Sequence, residues 1–188
     1  VKFFPDARGV PEGEKMRKIT SSIILFAAIC IIGFPLAGAE YRGEVIDAIR
    51  ITRDDIPAGF QYGTVPAFAR TVLKENPWRM DKPAIKKLVP RIYPDGDPGS
   101  VADMYITIIA RTSQPTGDDI VCYVILYNSA RSAQEEAKKL TGFSNLNRDR
   151  TIVIVHDNMA VFLLVDDVDN FPLIRDMAAR IKEKLKLG

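Results

Sequence analysis

His156 is the only histidine in the 188-residue chain. A zinc site of ordinary type or a Ser-His-Asp triad would have to use it. It stands in His156-Asp157-Asn158, a tight-turn sequence between two apolar runs, where a solvent-facing histidine is the commoner case. Two acidic stretches are the next candidates. Asp95-Gly96-Asp97-Pro98-Gly99-Ser100 spaces two carboxylates as calcium loops do, so that alternate oxygens converge on one ion. No third acidic ligand or closing Glu follows, and Pro98 stiffens the loop, which favours a solvated turn. Asp166-Asp167-Val168-Asp169 precedes a helical pattern, where negative charge complements a helix N-terminus. Cys122 lies in an apolar run, the setting of an inert buried thiol. There is no G-x-S-x-G, P-loop, G-x-G-x-x-G or C-x-x-C. The residues imply no catalytic set, no metal site and no cofactor.

Recognition is better supplied than catalysis. Tyr62, Trp78, Arg79 and Tyr93 fall in segments flanking two expected short helices. Trp and Arg are the residue types favoured at binding hot spots. Trp78 offers a flat apolar surface or a cover for one end of the core. Arg79 offers a fork for a carboxylate or phosphate. These four residues are the expected recognition rim. Tyr105, Tyr123 and Tyr127 lie on strand-like runs and are expected to share one aromatic face, where they line a groove or exposed sheet surface or pack across strands.

The stretch Lys15 to Ala39 sets the expected location. Lys15, Arg17 and Lys18 are followed by an uncharged run from Ile19 to Ile32, then Gly33, Pro35 and Ala37-Gly38-Ala39. This order resembles a bacterial Sec-type signal peptide, with Ala37 and Ala39 at the positions a signal peptidase inspects. Cleavage after Ala39 leaves Glu40 as the mature N-terminus. The alternative is an uncleaved anchor, because residues 19–39 are just long enough to cross a bilayer. Residues 1–15 are polar and broken by Pro and Gly, which suggests a disordered extension or a misassigned start.

Residues 40–188 then form one exported domain of ordinary size. Residues 1–39 hold five basic and three acidic groups of the chain's 26 and 24, so the remainder carries 21 of each. A neutral domain gives no reason to expect nucleic acid. With Cys122 alone after residue 39, no internal disulfide can form, and the core must hold the fold.

The elements expected to position these residues begin with strands over 45–52 and 60–62, joined as a hairpin by Asp54-Asp55-Ile56-Pro57-Ala58-Gly59. A helix over 67–74 stops before Asn76-Pro77. Asp81 caps a second short helix, and a polar loop runs from Pro90 to Ser100. Residues 104–111 and 120–128 form a hairpin of long strands. Ser132-Ala133-Gln134-Glu135 suggests a capping box for a helix ending near Gly142. Strands at 151–155 and 159–165 flank the His156 turn, and Asn170 caps a last helix with its stripe on Ile174, Met177, Ala178, Ile181 and Leu185. The order ββ-α-α-ββ-α-ββ-α predicts an α+β fold, with a mainly antiparallel sheet of five to six strands and helices on one face. The function this implies is an exported, non-enzymatic domain binding a protein, an envelope component or a small apolar ligand. A hydrolase or metal-dependent enzyme using His156 with the acidic loops is one alternative. A membrane-tethered accessory subunit is the other, with the membrane reached only through the signal segment.

Overall fold

The computed structural model describes residues 44–187 except 66, 68, 69 and 72. The expected signal segment with Ala37 and Ala39, and residues 1–15, lie outside the described residues. The described chain is α+β, with one six-stranded, wholly antiparallel sheet.

The first described element corrects an expectation. Residues 44–49 are helical (α1), where a strand was expected. Val45, Ile46 and Ile49 give this segment β-branched content, but Ile46 and Ile49 are three apart and share a helix face. Both are buried, while Glu44, Asp47 and Ala48 are exposed. Burial of that face outweighs the weak local preference. The expected hairpin with residues 60–62 therefore does not form.

The sheet is built on β3, Val101–Arg111. β1, Phe60–Tyr62, and β2, Trp78–Arg79, both pair antiparallel with β3, Phe60 opposite Arg111 and Trp78 opposite Ile106. Trp78 and Arg79 are thus strand residues rather than loop residues. Between them, the helix expected over 67–74 falls partly outside the described residues, and Arg70 and Thr71 form a turn. β4, Ile120–Tyr127, pairs with β3 as the sequence predicts. β6, Met159–Val165, pairs with β4 and with β5, Thr151–His156. The order across the sheet is β1-β3-β4-β6-β5, with β2 also beside β3.

Three further helices cross the sheet. α2, Lys82–Ile92, starts at Asp81, whose Oδ1 accepts from Ala84 N at 3.0 Å. It runs through Pro90 instead of ending before it. Ile85, Val89 and Ile92 form one buried stripe, and burying Ile92 favours the last turn although the exposed proline leaves one helix carbonyl unpaired. α3, Ala130–Asn145, is capped by Ser129, whose Oγ accepts from Ser132 N at 3.1 Å; the start is three residues earlier than the expected box. α4, Phe171–Leu187, follows a 3-10 turn, Val168–Asn170, capped by Asp167. Asn170 does not serve as the expected cap; its Oδ1 accepts from Arg111 Nη2 at 3.1 Å.

The helices cover both faces of the sheet, not one. Ala84, Ile85 and Val89 of α2 and Ala133 and Leu140 of α3 pack with Met104, Ile106, Ile108, Val121, Ile125 and Phe162. Ile46 and Ile49 of α1 and Ile174, Met177, Ala178 and Ile181 of α4 pack with Tyr105, Ile120, Cys122, Val124, Val161 and Leu163. Alternate residues of each strand thus enter different cores. This explains why the central strands are nearly continuous apolar runs rather than alternating ones.

Candidate functional site

The expected recognition rim is divided between the faces. Trp78 is 6 % exposed and belongs to the core under α2 and α3. Tyr93, at 1 %, belongs to the same core; its hydroxyl donates to Glu136 Oε2 at 2.8 Å. Glu136 is itself buried and also accepts from Asp97 N at 3.0 Å and Lys139 Nζ at 2.6 Å, so this network ties the loop after α2 to α3. Gly96 completes the contact, since a Cβ there would meet the Tyr93 ring at 2.9 Å. Tyr62 and Arg79 belong to the other face. The Tyr62 hydroxyl donates to Ile51 O at 3.2 Å, and burial raises its pKa. Arg79 Nε donates to Asp103 Oδ2 at 2.8 Å and Nη2 to the same oxygen, which raises the guanidinium pKa further. Its fork is therefore engaged within the protein.

The other sequence candidates are also separate. His156 is at the end of β5, with Nε2 3.6 Å from Asp157 Oδ2. It lines a cavity of about 300 Å³ with α1 residues Val45 and Ile49, Met159 and Lys184. Neither acidic loop reaches that cavity. Asp97 accepts from Gly99 N and Ser100 Oγ, both at 2.8 Å, and these bonds hold its pKa below the ordinary value. Asp167 accepts from Asp169 N at 3.0 Å and lies 3.7 Å from Arg111 Nη2. Among the described residues, no three His, Cys, Asp or Glu side chains are placed to hold a metal ion. Cys122 is buried in β4, and burial pushes its thiol up to about 12.

What the fold does assemble is a groove between α2 and α3. Its floor is Tyr123 of β4 with Phe162 and Leu164 of β6. Tyr123 and Phe162 are cross-strand partners with ring centroids 6.3 Å apart and planes at 16°. Phe143 of α3 meets Phe162 edge-on, also at 6.3 Å. Leu88, Arg91 and Ile92 of α2 form one wall; Phe143, Asn147 and Arg150 form the other. The volume is about 310 Å³, at the small end of ligand sites, roughly 300–1,000 Å³. Leu88, Tyr123, Phe143 and Leu164 are only half-buried, so solvent reaches the groove. The burial that remains pushes the Tyr123 phenol up to about 12, so it stays a neutral donor at physiological pH. Of the three strand tyrosines, Tyr123 lines this groove and Tyr127 is buried on the same face, while Tyr105 lies on the opposite one.

No family model, curated protein or solved structure matches the chain. The geometry alone carries the functional argument. Arg91, Phe143 and Arg150 carried no sequence signal, because they lie on separate elements that meet only when α2 and α3 settle on one face. Tyr123 was legible as a strand aromatic.

Proposed function

We propose that this chain is an exported, non-enzymatic binding domain that takes a small apolar ligand in the groove between α2 and α3. The observation that carries this reading is the half-open aromatic floor of Tyr123, Phe162 and Phe143. Tyr123 and Phe143 are left partly wet, with the buried Phe162 behind them, and such rings in a concave site gain by stacking with an apolar guest and releasing water. Among the described residues the groove is lined by no carboxylate and no histidine, which favours binding over general acid–base chemistry. Export rests on the order of residues 15–39. Retention of 19–39 would tether the same domain to a membrane as an accessory subunit.

The test is a titration of the purified protein with naphthalenemethanol, a neutral aromatic probe, followed by NMR. The expected outcome is saturable shift changes at Tyr123, Phe143, Phe162 and Leu164. Changes centred on the His156 cavity, or none at all, would count against the groove.

A further inference from the structure

Two arginines share this groove: Arg91 stands on its α2 wall and Arg150 on the opposite wall, and among the described residues no Asp or Glu lines the space between. Arg91 is exposed and makes no ion pair among the described residues. Arg150 is held only loosely, with Nε 3.6 Å from Asp149 Oδ1 and Nη1 donating to Asp166 O at 3.4 Å. By contrast, Arg79 and Arg111 both donate to carboxylates, Arg79 Nε to Asp103 at 2.8 Å and Arg111 Nε to Asp119 at 3.1 Å. Arg91 without an ion pair among the described residues, and Arg150 with only a long one to Asp149, leave two weakly engaged guanidinium groups on the walls of an aromatic groove. Each has a planar fork matched to an oxyanion.

We infer that the groove selects an apolar carboxylate: a ring or short chain lying against the partly exposed Tyr123 and Phe143, with its carboxylate held between Arg91 and Arg150. This rests on the groove reading above and adds the chemical class of its ligand. The apolar body supplies burial, and the arginines supply orientation and discrimination against neutral analogues. Arg91 and Arg150 lie at the solvent edge, so a carboxylate there keeps part of its hydration. The discrimination is therefore moderate rather than absolute.

The experiment compares naphthoate with naphthalenemethanol, which share a ring system and differ in charge. Wild-type protein should bind naphthoate about tenfold more tightly, the order expected of a hydrogen-bonded charge. The double variant Arg91→Gln, Arg150→Gln should bind both probes alike. Added salt should erode the naphthoate advantage in wild type and leave alcohol binding alone, which tests the charge without any substitution. Equal affinities in wild type would overturn the inference and leave the groove standing as a site for neutral ligands. A preference that persists in the double variant or at high salt would also overturn it, since the anion would then be held elsewhere. Failure of naphthalenemethanol to bind at all would remove the groove reading itself.

Discussion

Arg79 is about half exposed, and by residue type it belongs to a binding rim. Its side chain instead meets Asp103, which is only 7 % exposed and accepts from Met104 N at 2.8 Å through its other oxygen. Arg79→Ala would leave that carboxylate without its cation. The expected loss is about 1–3 kcal/mol in a urea denaturation, with probe binding in the groove on the other face unchanged. An unaltered midpoint would mean the pair contributes nothing. Asp55 gives a pH-dependent counterpart. Burial alone would raise its pKa, but Lys184 Nζ at 2.7 Å and Thr52 N and Oγ1, each at 2.8 Å, outweigh burial and hold it below the ordinary value. A carboxyl depressed in the fold stabilises it above its unfolded pKa, and that contribution is lost as the pH falls through the folded value. The stability gap between wild type and Asp55→Asn should be constant near neutrality and shrink below about pH 4. Denaturation curves at stepped pH measure it; a gap that widened on acidification would contradict the sign.

At the scale of elements, Asn76 joins two strands into one edge. β1 and β2 both pair with β3, and the gap between their registers falls at Thr107 and Ile108. Asn76 Oδ1 accepts from Ile108 N at 2.7 Å, while Nδ2 donates to Ile108 O at 2.7 Å and to Gly63 O at 2.6 Å. A side-chain amide thus stands in for the missing ladder residue and satisfies a backbone donor that would otherwise be orphaned. Asn76→Ala should cost about 1–3 kcal/mol and speed hydrogen exchange at the Ile108 amide above its strand neighbours. Unchanged protection there would mean water replaces the amide without loss. Nothing in the sequence identifies this role, because Asn76-Pro77 carries the same signature as any turn.

At the scale of the molecule, the sheet is the middle of three layers. Val121, Ile125 and Tyr127 of β4 enter the core under α2 and α3, while Ile120, Cys122, Val124 and Leu126 enter the core under α1 and α4. Two apolar faces buried in one domain supply stabilisation that smaller domains commonly draw from disulfides or metals. Residues 40–188 should therefore fold alone, with a melting temperature unmoved by chelator or reductant. A drop of several degrees with chelator would place an ion in one of the acidic loops. Expression in a bacterium should give a product outside the cytoplasm whose intact mass begins at Glu40. A mass retaining residues 16–39 would instead favour the tethered form.

Strong local signals were legible in the sequence wherever they agreed with their surroundings. The β3–β4 and β5–β6 hairpins, the Asp81 cap and the stripe of α4 all follow from alternation of strand and turn residues or from helical spacing. The antiparallel α+β class followed from those hairpins. Where the tertiary structure decided, an interaction distant in sequence outweighed a local preference. Residues 44–49 became a helix because Ile46 and Ile49 bury against the sheet. α2 continued past Pro90 because Ile92 joins its buried stripe. Trp78 and Arg79 became an edge strand because β3 offered them a ladder. The nearly continuous apolar runs of β3, β4 and β6 fit burial on both faces, although one covered face was expected, and a run of apolar residues does not say which helix covers which side. That assignment put Tyr62 and Arg79 opposite Trp78 and Tyr93 and so dissolved the expected rim. It also set Arg91 and Arg150 across an aromatic floor, since a groove exists only once two helices lie side by side on one face.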